Sequence, residues 1–464
     1  MATSTTLPLL SAAPADAPFA WRDGAPIARR QFVADACRLA ARLPAAPVLA
    51  LTADRYRFAL ALAAAALRGQ FNLLPPNHTP DTLRRLRELF PGAYALVEPG
   101  AGSDPELPSV PFDVAAATDP PSPQIPALGA GAIVARVLTS GSTGTPTAHP
   151  KRWGLLAVNL AGATARIAAL LGRRAEQGLA GCNFVGTVPA HHMYGFESTV
   201  LVAFFAGAAF AAERPFFPAE IVQSLERLPR PRILVTTPLH LKTLLESGVA
   251  APALDLVMSA TDVLPPALAV QAEDRLRAPL LEIYGCTEAG QVASRRTIEG
   301  GPWQCLGDLT VAAAGDGWLV QGGHVEQPTP LADFLDLVSP TTFHLRGRSN
   351  DLVNIAGKRG SLSHLNHQLR SVAGVRDGAF WMPSDADGTC AASAGSNAVR
   401  RLVALVVLDG LSPPALLAEL RQRIDAAFLP RRIIQVASLP RDPTGKLPAA
   451  RLADLARAAL TEGS

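Results

Sequence analysis

Several features that mark other classes of protein are missing from this chain. Its 464 residues include only five cysteines, and none of them forms a C-x-x-C pair. This pattern argues against a zinc site and against a disulfide framework, and it is typical of reduced thiols in the cytosol. The longest apolar runs, residues 58–67 and 199–212, are too short to span a membrane. They predict buried helices and no membrane span.

Charge of one sign is also missing. The formal net charge is only +3, and lysines and arginines are not gathered into basic blocks. Proteins that bind a phosphate backbone cluster these residues, so nucleic acid is not expected as a partner. The first 21 residues contain prolines and have no basic residue before their first apolar stretch, so no signal peptide is predicted and a cytoplasmic location is expected. The absence of a G-x-S-x-G element disfavours a serine hydrolase.

Hydrophobic residues make up 48% of the chain, enough for large cores. Strand, helix and strand patterns alternate from residue 48 to residue 74, and the alternation recurs as far as 280–284. This order predicts parallel sheets covered by helices. Beyond residue 348 helices near 363–372 and 414–428 are interleaved with short strands. The sequence therefore predicts an α/β protein with a large N-terminal domain, residues 1–347, and a small α+β domain, residues 348–464.

One loop is especially rich in small and hydroxyl-bearing residues. The mostly apolar run 132–138 is followed by Thr-Ser-Gly-Ser-Thr-Gly-Thr-Pro-Thr at 139–147. Small residues let backbone N–H groups approach a phosphate, and hydroxyls add donors. It is not a Walker A loop, because Thr145 and Pro146 follow Gly144. Alone, the stretch could equally be a Ser/Gly-rich surface turn. The candidate phosphate ligands are Thr139, Ser140, Gly141, Ser142, Thr143 and Gly144.

Three further segments narrow the alternatives. They are Tyr-Gly-Cys-Thr-Glu at 284–288, Gly-Arg-Ser-Asn-Asp at 347–351, and Leu-Pro-Arg-Asp-Pro-Thr-Gly-Lys at 439–446. In this order and at these separations, from about residue 32 to 451, the chain resembles the adenylate-forming superfamily of acyl- and aryl-CoA synthetases, nonribosomal-peptide adenylation domains and luciferases. The resemblance implies that ATP and a carboxylic acid form an acyl-adenylate, with Mg²⁺ as the metal, before the acyl group passes to a thiol.

The resemblance also implies roles for particular residues in nucleotide binding. Lys446 would be the catalytic cation, Thr287 would contact the α-phosphate and Glu288 would hold Mg²⁺. Family members usually carry a lysine after the proline of the phosphate loop. Here that residue is Thr147, and Lys151 close behind could replace the lysine. The remaining nucleotide contacts would be Tyr284 on adenine, Gly285 and Asp262 beside it, and Asp333 and Arg348 on ribose, with Asp336 as an alternative to Asp333.

Residues 189–195 resemble the segment that lines the acid pocket in the family. His192 would lie near the substrate carboxylate. Met193 stands at about the position where amino-acid-activating relatives place an aspartate for the substrate ammonium, and Glu197 lies at a different offset. A thioether cannot pair with an ammonium group, so an uncharged aryl ring is expected. The other expected pocket residues are His191, Tyr194, Gly195, Ala260 and Thr261.

In the family the C-terminal domain rotates between the two half-reactions, so a mobile domain is implied here. Asn350 aligns with the family's hinge residue, and Gly357 and Arg359 resemble the segment that is presented to the thiol acceptor. Asn350 could alternatively be a simple loop residue, just as Glu288, Arg348 and Lys446 could be ordinary solvated residues.

The expected activity is AMP-forming ligation of an acid to a thiol. The residues at 148–153 that follow the phosphate loop, Ala-His-Pro-Lys-Arg-Trp, are similar to those of ligases that load aryl acids such as hydroxybenzoates onto an acyl carrier protein in aryl-polyene pathways. A CoA ligase is the nearest alternative. An inactive homologue serving as a binding module is a second alternative, which the presence of Thr287, Glu288, Arg348 and Lys446 argues against.

Overall fold

The computed structural model describes residues 5–100, 106–112, 124–139, 147–315, 317–348, 352–355, 358–383, 401–424, 426–443 and 445–462. The chain divides into two compact units. The first comprises Met1–Ala260, Pro266–Val311 and Val320–Thr329, and the second comprises Thr261–Pro265, Ala312–Leu319 and Pro330–Ser464. The domain boundary expected after residue 347 falls inside the second unit, and it stays a prediction.

The first unit contains two large sheets, a small antiparallel pair of strands, β1 and β8, and covering helices. Its strands are β1 (Thr6–Pro8), β2 (Pro18–Arg22), β3 (Ala25–Ala28), β4 (Val48–Leu51), β5 (Asn72–Leu74), β6 (Tyr94–Val97), β7 (Ser109–Pro111), β8 (Ala127–Gly129), β9 (Ile133–Thr139), β10 (Thr147–Arg152), β11 (Asn183–Gly186), β12 (Ala209–Ala211), β13 (Arg232–Thr236), β14 (Leu256–Ser259), β15 (Leu280–Cys286), β16 (Gly290–Arg295) and β17 (Trp303–Cys305). Its helices are α1 (Arg29–Ala40), α2 (Arg55–Leu67), α3 (Pro80–Leu89), α4 (Trp153–Leu170), α5 (Met193–Gly195), α6 (Leu201–Phe205), α7 (Pro218–Glu226), α8 (Pro238–Glu246) and α9 (Pro266–Leu276).

The two large sheets of the first unit are built around parallel strands. One has the order β10-β9-β5-β4-β6-β7, in which only β10 runs antiparallel to its neighbour. The other has the order β17-β16-β15-β14-β13-β11-β12-β2-β3, with the parallel strands in the middle. Strands β11 and β14 are wholly buried, as expected for parallel strands covered on both faces. The predicted α/β class is confirmed.

Helix α2 shows why the alanine-rich run becomes a core helix. Asp54 caps its first turn by accepting a 2.8 Å hydrogen bond from the backbone N–H of Arg57. Small side chains then let the helix pack closely, and 58–66 are all buried. The other predicted helical run, 199–212, is instead divided among a π-helical turn, α6 and β12.

Helix α4 is, within the described residues, long and apolar enough to cross a membrane by length and composition alone. Core helices of globular domains meet the same criterion. Here Trp153, Leu156 and Leu160 on one face of α4 are buried in the largest hydrophobic cluster, and Asn159 on the same face is also buried. The buried face shows that α4 packs against the core of its own unit.

Strands also occur where the chain passes from one unit to the other: β18 (Leu309–Ala314), β19 (Gly317–Gly322) and β20 (Thr329–Leu331). The second unit then contains β21 (Asp333–Ser339), β22 (Thr342–Arg348), β23 (Leu352–Ile355), β24 (Lys358–Ser361), α10 (Leu362–Arg370), β25 (Val375–Trp381), β26 (Val403–Leu408), α11 (Pro413–Arg421), β27 (Arg432–Gln435) and α12 (Ala449–Glu462).

The second unit has the predicted α+β character. Strands β25, β26 and β27 form a sheet in which β25 is antiparallel and β27 parallel to β26. One hydrophobic cluster joins this sheet to α10 and α11, and another joins it to α12. Two details differ from the sequence prediction. Helix α11 ends at Arg421 rather than near 428, and α12 was not foreseen.

Candidate active site

The candidate site begins where strands of the second sheet end. Segment 189–195 follows β11, Ala260 follows β14, and residues 284–288 close β15. The carboxyl ends of parallel strands meet at one edge of a sheet, which is where α/β proteins bind ligands. Of the predicted residues, Ser140, Gly141, Ser142, Thr143, Gly144, Asn350 and Gly357 lie outside the described part of the chain. For Arg348 and Arg359 the structure gives the strand position only.

Thr139 and Glu288 are linked through a histidine that sequence reasoning missed. Thr139 Oγ1 lies 3.1 Å from His149 Nε2, and the same nitrogen lies 3.7 Å from Glu288 Oε1. Burial lowers the pKa of His149, and Lys151 adds to this, while Glu288 opposes it. Side chains alternate along β10, so Thr147, His149 and Lys151 lie on one face. This alternation was the sequence pattern that could have identified His149.

Lys151 is buried, and its ammonium is occupied by the backbone. Nζ donates hydrogen bonds to the carbonyl oxygens of Thr287 at 2.6 Å and Glu288 at 3.2 Å. Burial lowers the pKa of this lysine, against the opposing charges of Glu197, Cys286 and Glu288. Lys151 therefore fixes the turn that carries the two predicted catalytic residues. A contact between Lys151 and phosphate stays a prediction.

Glu197 forms the buried end of the same polar network. Asn159 Nδ2 donates a short hydrogen bond to Glu197 Oε1. Burial raises the pKa of Glu197 to about 7, although the Lys151 charge, Asn159 and the backbone N–H of Gln291 lower it. Gly290 closes the network: its φ is +81°, and a Cβ there would lie 2.6 Å from Glu197 Oε1. From the sequence, Glu197 was only an acid near the predicted acid pocket, and its buried partners could not be foreseen.

The turn after β15 is tight. A Cβ on Gly285 would lie 2.2 Å from the carbonyl oxygen of Gly290, so glycine is required there. The backbone N–H of Ala289 donates to Cys286 Sγ at 3.4 Å. Tyr284 is buried with its ring 5.7 Å from that of Trp303. The turn thus presents Thr287 and Glu288 from a rigid base.

Segment 189–195 turns sharply into α5. A Cβ on Gly195 would lie 2.1 Å from the carbonyl oxygen of Pro189, which again demands glycine. Met193 and Tyr194 are buried, whereas His191 and His192 are partly exposed. Burial raises the pKa of Tyr194 well above its usual value. Ala260, which follows β14, is also buried.

In the second unit, Thr261 and Asp262 form an unusual turn. Thr261 has φ +83°, a left-handed conformation that is strained for a β-branched residue. Asp262 Oδ2 accepts a 2.9 Å hydrogen bond from Arg370 Nη1, and Oδ1 accepts one from the backbone of Val263. Burial opposes ionisation of Asp262, but Arg370, the backbone N–H of Val263 and Arg441 together outweigh it, so the pKa is lowered. This carboxylate is therefore charged and already paired.

The two residues predicted to bind ribose occupy paired positions in one hairpin. Asp333 and Arg348 are directly opposed in the register of β21 and β22. The alternative, Asp336, instead pairs with Arg346, whose Nε lies 2.5 Å from Asp336 Oδ2. The choice between Asp333 and Asp336 as the ribose ligand stays a prediction.

Lys446 lies in a turn of the second unit that is closed at both ends. Its backbone N–H donates to Asp442 Oδ1 at 2.9 Å, and its carbonyl accepts from the Asp442 N–H at 2.8 Å. Arg441 braces the turn by donating to the carbonyl oxygen of Gly445 and to both oxygens of Asp377. These hydrogen bonds hold the backbone of Lys446 in place.

The described residues contain no group of three or more His, Cys, Asp or Glu side chains that could enclose a metal. The Glu288 carboxylate has 41% of its side chain exposed. A lone, accessible carboxylate fits Mg²⁺, which keeps several waters and is commonly shared with substrate phosphates. It does not fit a metal held by the protein alone.

Comparison with known proteins agrees with this arrangement. Residues 13–317 match the AMP-binding enzyme family. A 4-coumarate–CoA ligase from Rhodobacter capsulatus is 32% identical over 288 residues, which cover 60% of this chain and 68% of the relative. One from Halorhodospira halophila is 28% identical over 321 residues, which cover 67% of this chain and 73% of the relative.

Solved structures share the fold. The o-succinylbenzoate CoA synthetase of Bacillus subtilis, in complex with its acyl-adenylate, has a TM-score of 0.79 at 16% identity, covering 97% of this chain and 98% of that one. An anthranilate CoA ligase in complex with anthranoyl-AMP has a TM-score of 0.72 at 15% identity, covering 97% and 95%.

The family match covers well over half of the chain, and the fold extends over nearly all of it. Members of this family use ATP to activate an acid as its acyl-adenylate and then form a thioester. The chain belongs to the AMP-binding enzyme family and is an AMP-forming acid–thiol ligase.

Proposed function

We propose that this ligase adenylates an aryl acid, such as a hydroxybenzoate, and passes the acyl group to the pantetheine thiol of an acyl carrier protein. The observation that carries the choice of acid is the burial of Met193 at the start of α5. A buried thioether packs favourably against an aromatic ring and offers nothing to an ammonium group. Glu197, the nearby acid, is bonded to Asn159 and packed against Gly290 instead.

The proposed chemistry depends on holding two anions together. The substrate carboxylate is a weak nucleophile and the α-phosphate is negatively charged, so positioning and charge neutralisation carry the rate. Thr139 and the rest of the 139–144 loop would donate to phosphate oxygens. Lys446 would neutralise the attacking carboxylate and the α-phosphate, since a flexible ammonium can reach both. Thr287 would donate to the α-phosphate.

Mg²⁺, when bound, would neutralise phosphate charge, and Glu288 is the residue proposed to hold it. The Lys151 bonds to the carbonyls of Thr287 and Glu288 would keep both side chains directed toward the nucleotide. The adenine would contact Tyr284, with Gly285 and Asp262 beside it. Asp333 and Arg348, opposed in one hairpin, would bind ribose.

Residues 189–195 and 260–261 would form the acid pocket, with His192 beside the carboxylate. Asn350 would be the hinge of a mobile C-terminal domain, and Gly357 and Arg359 would meet the thiol acceptor. CoA is the second candidate acceptor, because the curated relatives are named as CoA ligases. The cytoplasm is the proposed compartment, in keeping with the free thiols of Cys37, Cys182, Cys286 and Cys305.

The test is ATP–pyrophosphate exchange with hydroxybenzoates, cinnamates, fatty acids and the common amino acids. We expect exchange with aryl acids and none with α-amino acids. Strong exchange with any α-amino acid would refute the pocket argument, and a preference for long-chain fatty acids would refute the aryl assignment. CoA and a phosphopantetheinylated carrier protein are then supplied separately to the preformed adenylate. If acyl transfer to CoA is faster than transfer to the carrier protein, CoA is the acceptor and the carrier-protein assignment is refuted.

A further inference from the structure

A cavity of about 330 Å³ lies in the first unit, beside residues 189–191. Its polar lining consists of Thr52, His78, His191 and Arg214, and its apolar lining includes Pro189 and Ala190. Of the segment predicted to line the acid pocket, Pro189, Ala190 and His191 border this cavity. The volume suits a small organic group.

Arg214 is the fixed charge of this cavity. Among the described residues, its guanidinium forms no hydrogen bond or ion pair, although it is half-buried. The acids nearby are already engaged: Glu98 pairs with Arg57, and Glu213 accepts a 2.8 Å hydrogen bond from Ser224. A partly desolvated cation without a counter-ion is costly unless a ligand supplies one.

The histidines contribute neutral donors rather than further charge. The rings of His78 and His191 are 4.5 Å apart. Burial lowers the pKa of His78, and burial together with His78, His192 and Arg214 lowers the pKa of His191 to about 3. His78 Nε2 is buried with no hydrogen-bond partner among the described residues. The cavity therefore combines one positive charge with an unsatisfied neutral group.

This combination selects the charge of the ligand. A guanidinium fork binds a carboxylate through two parallel hydrogen bonds, and a neutral imidazole can add a third. One cation balances a monoanion but not the several charges of the CoA phosphates. The apolar walls favour an organic acid over inorganic phosphate.

We propose that Arg214, His78 and His191 bind a second carboxylate on the acid substrate, remote from the carboxylate that is adenylated. This inference rests on the proposed function, because it takes segment 189–195 as a wall of the acid pocket. The preferred substrate is then an aryl dicarboxylic acid, in which one carboxylate reacts and the other anchors the ring.

The experiment compares matched acids in ATP–pyrophosphate exchange. Benzoates and cinnamates carrying a meta or para carboxylate are set against the carboxamides of the same shape. For the wild type we expect kcat/KM to be at least tenfold higher for the diacid than for its amide. Arg214→Met should reduce that ratio to near one. Arg227→Met, which removes an arginine paired with Asp23, is the matched control and should leave the ratio unchanged.

A charge-reversal variant distinguishes a specific loss of carboxylate binding from a general loss of folding. Arg214→Glu should prefer 4-(aminomethyl)benzoate to terephthalate, a gain that an unfolded protein cannot give. Equal kcat/KM for diacid and amide in the wild type, or an unchanged ratio in Arg214→Met, would overturn the proposal. Titration calorimetry of the free enzyme with terephthalate and with phosphopantetheine gives a readout independent of turnover. Binding of phosphopantetheine alone, lost in Arg214→Met, would also overturn it.

The same calorimetry separates the two hypotheses. If no aryl acid supports exchange, the proposed function fails, while terephthalate binding that depends on Arg214 still supports the carboxylate site. If aryl monoacids and amides support exchange as well as diacids do, the proposed function stands and the second carboxylate site fails.

Discussion

The ammonium of Lys151 donates a 2.6 Å hydrogen bond to the carbonyl oxygen of Thr287, from within the buried network that also contains Glu197. A lysine that follows the phosphate loop in sequence thus holds the backbone of a motif more than a hundred residues away. Buried charges are rarely kept without partners, and here two carbonyl oxygens and the charges of Glu197 and Glu288 supply them. This relationship leads to the first three predictions.

Lys151→Met should lower the free energy of unfolding by about 3 kcal/mol, because Glu197 is left buried without its cation. It should also lower kcat for pyrophosphate exchange, since the turn carrying Thr287 and Glu288 loses its anchor. Urea denaturation and exchange kinetics measure the two effects. Lys242→Met, at a lysine whose Nζ is 3.7 Å from Glu246, should change stability by less than about 0.5 kcal/mol. A Lys151→Met protein as stable as that control would contradict the anchoring role.

Glu197→Gln should change how stability depends on pH. The folded protein raises the pKa of Glu197 to about 7 from an ordinary value of 4.5. The stabilising contribution of its protonated form is therefore complete below pH 4.5 and is lost as the pH rises through 7. We expect the wild type to lose on the order of 2–3 kcal/mol relative to Glu197→Gln between pH 4.5 and pH 8.

Urea denaturation of both proteins across this range checks the prediction, with Glu246→Gln as an exposed control. A constant difference between wild type and Glu197→Gln at all pH values would show that Glu197 does not titrate in this window.

Gly290→Ala should be more damaging than an ordinary glycine substitution at positive φ. Its φ is +81°, and the new Cβ would lie 2.6 Å from Glu197 Oε1 and 3.0 Å from Asn159 Nδ2. Gly248 is a matched control, with φ +72° and nothing within 4 Å of the position of a Cβ. We expect Gly248→Ala to cost about 1 kcal/mol and Gly290→Ala about 2 kcal/mol more. If thermal denaturation shows the same loss of stability for both variants, the network around Glu197 accommodates the new Cβ and the prediction is contradicted.

Lys446→Ala should reduce pyrophosphate exchange by about a thousandfold and leave ATP binding within a few-fold of wild type. The expected reason is that its charge acts in the transition state more than in the ground state. Exchange kinetics and equilibrium ATP binding separate the two effects. Arg457→Ala, at an exposed position of α12, serves as the control. Near wild-type exchange in Lys446→Ala would remove this residue from the mechanism.

Glu288→Gln should raise the Mg²⁺ concentration needed for half-maximal activity by about tenfold. An amide oxygen is a weaker ligand for a hard cation than a carboxylate. The measurement is a Mg²⁺ titration of exchange at saturating ATP, and Glu326→Gln, an exposed acid paired with Arg152, is the control. An unshifted titration would leave Glu288 with a structural role only.

The sequence was informative where function depends on local pattern. The order of strands predicted the parallel sheets, and the motif at 284–288 does lie at the end of β15. It was less informative about partners that tertiary structure supplies. Nothing near Lys151 in sequence points to the carbonyls of Thr287 and Glu288, and nothing near Arg214 points to His78 or His191. The opposition of Asp333 and Arg348 depends on hairpin register, which motif spacing alone does not give.

The turn at 284–288 also contains a thiol. Burial raises the pKa of Cys286 to about 12, with Glu288 adding to it against the Ala289 N–H. Burial thus keeps Cys286 as the thiol at neutral pH, whereas the thiolate is the nucleophilic form. In the proposed reaction the acyl-adenylate would form at this turn, so a protonated Cys286 would leave the activated acyl group for the incoming acceptor.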